Sequence, residues 1–328
     1  MDSFFLGLDI GGTNVRIASY DGSANRISEV KKIAFKKSGN PKVEVDENIC
    51  ELVTDFIKEK MKENKKLGGI GLSLAALFDR TNGSIVIWPN NKVWNGFQLK
   101  NYLTERFNVP VLMEDDANAG VLGEHLLGAG KGCANLAYIT ISTGIGCGLI
   151  LNNLLYIGSN GWAGELGHVK TDYDEMICTC GMKGCLQALA SGPAILKNYN
   201  EIKKKNNNRV CEVLDLNKVV SLALKGEKEA IEVFSQAGAQ IGKAIANMVM
   251  LLDISTVILG GGVIGTGEIL MEPIKDTVSI FFGHYKRDIN MAISELGGNN
   301  GVIGALSLIY KHINGAINVP FKCYRKGK

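Results

Sequence analysis

FFLGLDIGGTNVRIASYDG, residues 4–22, and LAYITISTGIGCGLILNNLLYIG, residues 136–158, are built alike. Each has an apolar run rich in β-formers, a corner of glycine with threonine or serine, and a second apolar run. That pattern predicts two antiparallel strands around a tight loop. A corner of this kind leaves backbone N–H groups bare, so amides can approach phosphate oxygens closely. The repeat opens each half of the chain, which predicts two similar halves with a cleft between them.

The segments after each hairpin decide the fold class. VEVDENICELVTDFIKEKMKEN (43–64) carries Ile49, Leu52, Val53, Phe56 and Ile57 at helical spacing, and the strand-like runs GGIGLSL (68–74) and PVLMED (110–115) come after it. In the second half AIEVFSQAGAQIGKAIANMVMLLD (230–253) reads as a helix by its apolar spacing. ISTVILGGGVIG (254–265) reads as a buried strand ending in a glycine turn before another helix. Strands alternating with helices imply an α/β protein with largely parallel central strands.

The 328 residues have room for about two domains at roughly 100 to 200 residues each. Hydrophobic residues at 46% and charged ones at 21% match a soluble globular chain and exclude disorder. Net charge is +3, and the lysine groups at 31–32, 36–37, 62–66 and 203–205 are separated and lack interleaved aromatics. They read as solvated surface, with no nucleic-acid partner. MDSFFLGLDIGG has no basic leader, and its apolar run stops at Asp9, too early for a signal peptide or a membrane span. The expectation is a cytoplasmic protein with reduced thiols, whose eight cysteines (50, 133, 147, 178, 180, 185, 211 and 323) are small apolar groups plus one metal cluster.

That cluster is CTCGMKGC, residues 178–185, with His168 ten positions upstream of its first cysteine. His168, Cys178, Cys180 and Cys185 supply one nitrogen and three thiolates, a closed tetrahedral set for Zn²⁺ with no position left for water or substrate. The metal is therefore expected to be structural, tying the segment after GELGH to the turn before LQALASG. His168 can serve twice, one ring nitrogen on zinc and the other toward a ligand hydroxyl, with the metal fixing the tautomer. The histidines at 125, 284 and 312 and the other cysteines have no partners at ligand spacing and read as structural.

Three glycine turns and one acidic stretch carry the remaining chemistry. Asp9, Gly11, Gly12 and Thr13 form a first corner that would cup phosphates, with Asp9 placed to organise Mg²⁺ through water. Ser142, Thr143, Gly144, Gly146 and Gly148 repeat it, and Gly260, Gly261 and Gly262 close a strand and open a helix. EDDAN (114–118) stands where a strand gives way to a helix, the carboxyl end at which parallel sheets place functional groups. Glu114, Asp115 and Asp116 all compete there for the role of base.

LGLDIGGTN, EDDANAGVLGE, ISTGIGCG, GELGH followed by CTCGMKGCLQALASG, and VILGGGV stand in the order seen in the ROK family, the sugar kinases and sugar-responsive repressors. The resemblance covers nearly the whole chain. It implies a two-domain actin-like, hexokinase-type ATPase fold (ribonuclease H-like) with the active site in the interdomain cleft. It also implies an ATP- and Mg²⁺-dependent kinase that phosphorylates a hexose on its 6-hydroxyl, as the family's glucokinases do. Asp116 is then the general base. Asn90, Asp115, Glu165, His168 and Gln187 are the sugar contacts, and Thr143, Gly144, Gly261 and Gly262 join the first corner in holding the nucleotide. The implied small domain is residues 1–117 plus 303–328, and the large one, 118–302, carries the zinc motif and closes over the sugar. Family members are commonly homodimers.

Several positions depart from the family pattern. Asp115 replaces the usual Asn, Gln187 replaces a frequent Glu, and AALFD (75–79) stands where relatives often read PGPVD. Charge at the sugar site is thereby rearranged. An aminosugar such as glucosamine or N-acetylmannosamine, or fructose, becomes the alternative substrate. A sugar-responsive repressor is the alternative of another class; it needs a DNA-binding segment in front of the first corner, which begins here at residue 9.

Overall fold

The structure, a computed structural model, describes residues 2–26, 28–172, 176–206, 215–285 and 287–313. Cys211 and Cys323 lie outside the described residues; the other six cysteines are free thiols. The chain forms two compact units, one made of residues up to 134 with 150–161 and those from 295 onward, the other of 135–149 with 162–294.

The first unit contains β1 (Asp2–Ile10), β2 (Asn14–Tyr20), β3 (Lys31–Ala34), α1 (Pro41–Val45), α2 (Glu51–Met61), β4 (Lys65–Leu74), β5 (Leu77–Phe78), β6 (Ile85–Ile87), α3 (Leu99–Phe107), β7 (Val111–Glu114) and α4 (Asp116–Leu127). Its sheet has the order β3-β2-β1-β4-β7. β1 and β2 pair antiparallel around the first glycine corner, as expected, while β4 and β7 join parallel. The central strands are buried along most of their length, as strands covered on both faces should be. The helix expected over 43–64 is interrupted by a π-helical segment, Asp46–Cys50, between α1 and α2.

β8 (Leu136–Ile141) and β9 (Ile145–Leu151) open the second half, followed by β10 (Leu154–Leu155), α5 (Leu186–Ala190), α6 (Gly192–Asn206), α7 (Leu216–Leu224), α8 (Lys228–Leu252), β11 (Thr256–Gly260), α9 (Glu268–Phe282), β12 (Asn290–Ile293) and α10 (Asn300–Ile313). The second unit's strands run β9-β8-β11-β12, with β11 parallel to both of its neighbours. Its apolar helix α8 buries Val233, Phe234, Ile241 and Ile245.

α10 belongs to the first unit and lies across β1 and β4. The approach is so close that a Cβ at Gly7 would strike the Val302 carbonyl oxygen and one at Gly71 that of Ala305. Two glycines in adjacent strands thus admit a helix backbone directly onto the sheet, beside the strand end that carries Asp9. Among the described residues no helix is long and apolar enough to cross a membrane.

Candidate active site

In the first unit the parallel strands bring polar residues to one row, Asp9 on β1 opposite Ser73 on β4 and Ser73 opposite Glu114 on β7. Beyond Asp9 the corner is held by the Gly11 N–H on the Asn14 carbonyl at 2.9 Å and by Phe35 N–H on Thr13 O at 2.8 Å. A Cβ on Gly12 would come within 2.7 Å of Asn90 Cβ, so glycine there lets the Asn90 segment sit against the corner. Asp9 Oδ2 accepts from Arg16 Nη1 at 3.0 Å. Burial raises the Asp9 carboxyl pKa above its ordinary value, and Arg16 offsets this only in part.

The Asn90 segment is positioned by a residue that sequence reasoning missed. Glu44, fully buried, accepts four N–H bonds: Ser38 N at 2.7 Å and Gly39 N at 2.9 Å on Oε1, Asn91 Nδ2 at 2.5 Å and Trp94 Nε1 at 2.7 Å on Oε2. Lys37 Nζ donates to the Asn90 carbonyl at 2.9 Å. No local pattern marks Glu44, because two of its four partners, Asn91 and Trp94, are reached only through the fold.

At the end of β7 the three acidic residues separate into different environments. Glu114 is 3% exposed and takes a two-pronged bond from Arg80, Nη1 to Oε2 at 2.6 Å and Nη2 to Oε1 at 2.5 Å. Asp115 is the N-cap of α4, its Oδ1 accepting from Asn118 N at 2.8 Å and Oδ2 from Asn118 Nδ2 at 2.5 Å. Desolvation, then the Glu114 carboxylate and to a smaller extent Asp116, push the Asp115 pKa well above the usual carboxylate range. Asp116 occupies the first turn of α4 and is exposed.

In the second unit the corner between β8 and β9 draws other elements to itself. Gly192 N donates to Ser142 O at 2.9 Å, and Val263 N donates to Ile141 O at 3.0 Å. Gly261 has φ +90°, and a Cβ there would collide with the Ile141 backbone, so the triple-glycine turn is pressed onto the corner. Gln187 Oε1 accepts from Ile145 N at 3.1 Å, and its Nε2 lies 3.4 Å from Thr179 Oγ1. GELGH packs on β9, since a Cβ on Gly164 or Gly167 would strike the carbonyl oxygens of Cys147 and Ile145. Thr143, Gly144, Gly261, Gly262, Glu165, His168 and Gln187 are therefore gathered around one corner.

The four expected metal ligands come together as well. The ligand atoms of His168, Cys178, Cys180 and Cys185 lie within 4.8 Å of one another, with His168 Nδ1 3.6 Å from Cys178 Sγ and Cys180 Sγ 3.7 Å from Cys185 Sγ. A tetrahedral zinc with bonds of about 2.3 Å to sulfur separates its thiolates by roughly 3.8 Å, so the set fits the ion. The other ring nitrogen of His168 lies 3.9 Å from Glu165 Oε2. A turn with Gly181 N on Cys178 O at 2.9 Å carries the first two cysteines.

Residues 5–312 match the ROK family. The chain belongs to the ROK family. It is 29% identical to a glucokinase of Thermotoga maritima over 94% of this chain and 98% of that protein. It is 31% identical to a xylose repressor of Bacillus spizizenii over 84% of this chain and 69% of that one. A ROK family glucokinase from Streptomyces griseus, solved in complex with glucose and AMPPNP, superposes with a TM-score of 0.76 at 28% identity, covering 93% of this chain and 98% of that chain. The fold is accordingly the actin-like ATPase fold. Within this ROK protein the AALFD departure leads into Arg80, and the Asp115 departure stands 3.8 Å from the same guanidinium.

Proposed function

We propose that the protein is an ATP-dependent sugar kinase of glucokinase type, transferring the γ-phosphoryl group of ATP to the 6-hydroxyl of a hexose. The observation that carries this reading is Asp116, an exposed carboxylate at the carboxyl end of β7 in a chain that matches a glucokinase over nearly its whole length. Asp116 takes the proton of the attacking hydroxyl as the oxygen bonds to the γ-phosphorus, and ADP leaves with the electrons of the broken P–O bond. Asn90, Asp115, Glu165, His168 and Gln187 orient the sugar hydroxyls. The amides of Gly12, Thr13, Thr143 and Gly144, with Gly11 shaping the first corner, receive phosphate oxygens, and the turn at Gly261 and Gly262 receives the adenosine.

Mg²⁺ bound with the nucleotide supplies charge neutralisation on the phosphates. Asp9, whose carboxylate is 18% exposed and whose Oδ2 is held by Arg16, would hold the hydrated ion. Zn²⁺ on His168, Cys178, Cys180 and Cys185 is structural and fixes the segment bearing Glu165. The similarity to a xylose repressor favours a second reading, a sugar sensor without phosphoryl transfer.

One experiment separates these. The purified protein is assayed for ADP release with ATP, Mg²⁺ and a panel of hexoses and aminosugars, alongside Asp116→Asn. The expected result is turnover that falls by roughly 10² or more in the variant, the scale for loss of a general base, with sugar binding by calorimetry retained. Sugar binding without turnover in the unmodified protein would instead support the sensor.

A further inference from the structure

Arg80 sits in the tight turn between β5 and β6. Its position in the turn is set by Asp79, whose N–H donates to Ser84 O at 2.8 Å and whose Oδ1 accepts from Thr81 N at 2.7 Å. The guanidinium carbon lies 5.0 Å over the Phe78 ring, and a Cβ on Gly161 would come within 2.6 Å of Arg80 Nε. A turn, an aromatic face and a glycine backbone thus leave the side chain one direction, toward the end of β7. There its fork closes on Glu114, and Nη2 reaches to 3.8 Å from Asp115 Oδ2.

Glu114 passes this restraint on. Its Oε1 also accepts from Asp115 N at 3.1 Å and from Asn118 Nδ2 at 3.3 Å. The atoms that cap α4 and the backbone that carries Asp115 and Asp116 are therefore bonded to the carboxylate that Arg80 holds. Three consecutive acidic residues repel one another, and the repulsion is screened least at the buried Glu114. The charged groups at this junction are Arg80, Glu114, Asp115 and Asp116, with Asp9 and Arg16 further along the same sheet.

We propose that Arg80 is a positioning residue for the phosphoryl-transfer site: its fork fixes the β7–α4 junction on which Asp116 stands, and its charge makes a carboxylate at position 115 tolerable. The inference rests on the reading of Asp116 as general base. It makes the Arg80–Asp115 pair a coupled departure, in which the second carboxylate depends on the cation. Arg80 acts through Glu114 and touches no reacting atom.

The test is a double-mutant cycle between Arg80→Met and Asp115→Asn, with Arg80→Lys as a third variant. Methionine keeps the reach over Phe78 and removes both charge and fork; lysine keeps the charge without the planar fork. Arg80→Met is expected to lower kcat by about 10²-fold, the scale of a misplacement near 1 Å, with the KM for ATP unchanged. Asp115→Asn in that background is expected to recover about tenfold of the loss, because one of the carboxylates that Arg80 offsets has gone. Arg80→Lys is expected to fold with near-normal stability yet keep a kcat well below the unmodified protein. Unchanged kcat in Arg80→Met, full activity in Arg80→Lys, or losses from Arg80→Met and Asp115→Asn that multiply independently would each overturn the proposal. The same cycle is read in urea midpoints, where a positive coupling between positions 80 and 115 is expected and additivity counts against it. That readout needs no activity, so it stands even if Asp116→Asn retains full turnover and the kinase reading fails.

Discussion

Glu44→Gln is the perturbation whose cost can be worked most directly from the structure. The carboxylate is fully buried and receives two N–H donors on each oxygen. Glutamine keeps one acceptor oxygen and turns the other into an NH₂. If the amide oxygen faces Ser38 and Gly39, the NH₂ meets Asn91 Nδ2 and Trp94 Nε1; in the opposite orientation it meets two backbone donors. Asn91 can turn its own oxygen inward, but an indole N–H or a backbone N–H cannot, so at least one buried donor is orphaned at about 1–3 kcal/mol. The two bonds that remain lose their charge assistance, roughly 1 kcal/mol each. The total is about 3–5 kcal/mol, a large part of the ~5–15 kcal/mol that holds a typical domain folded.

The assay is urea denaturation of both proteins, followed by tryptophan fluorescence, at neutral and at acid pH. Burial by itself would raise the Glu44 carboxyl pKa, but the N–H bonds from Ser38, Gly39, Trp94 and Asn91 outweigh it and hold the pKa below the ordinary glutamate value. A lowered folded pKa means that the stabilisation is fully present above the unfolded value of about 4.3 and is lost as the pH falls through the folded one. The gap between the two proteins should therefore be largest at neutral pH and narrow below about pH 4. Because Glu44 also fixes the segment holding Asn90, the sugar KM should rise in the variant while the ATP KM stays. A difference under about 1 kcal/mol at pH 7, less than one orphaned donor costs, would refute the reasoning, as would a gap that does not change with pH.

Two further outcomes concern the metal and the sugar. Metal analysis should find about one zinc per chain, since four protein ligands close the site, and Cys180→Ser should lose zinc, stability and sugar affinity together; active protein without zinc would rule out a structural role for the metal. Asp115→Asn combined with Gln187→Glu should move substrate preference toward glucose, measured as kcat/KM for glucose, mannose, fructose, glucosamine and N-acetylmannosamine. Asp115 only accepts when it is ionised, and Gln187 offers a donor, 3.4 Å from Thr179 Oγ1, that glutamate lacks. An unchanged ranking, or an unmodified protein that already prefers glucose by roughly tenfold, about 1.4 kcal/mol in transition-state binding, would make both departures neutral.

Local order and local chemistry were legible in the amino-acid sequence by itself. The hairpin around the first corner, the β/α alternation, the long helix α8 and the strand leading into the triple glycine all come from residue spacing, because periodicity of apolar side chains reports the backbone on which they sit. The metal set was equally legible, since a zinc site needs particular atoms at short separations and CTCGMKGC already places three of them together. Tertiary structure alone decided the surroundings of each carboxylate at the end of β7. Glu114, Asp115 and Asp116 are adjacent and chemically alike, and they part company only because Arg80, thirty-four positions away, takes Glu114 while the start of α4 takes Asp115 as its cap. Glu44 meets Trp94 across fifty positions and Gln187 meets Ile145 across forty-two. Such partners are chosen by strand register and by glycines that let one backbone approach another, and neither leaves a periodic trace along the chain.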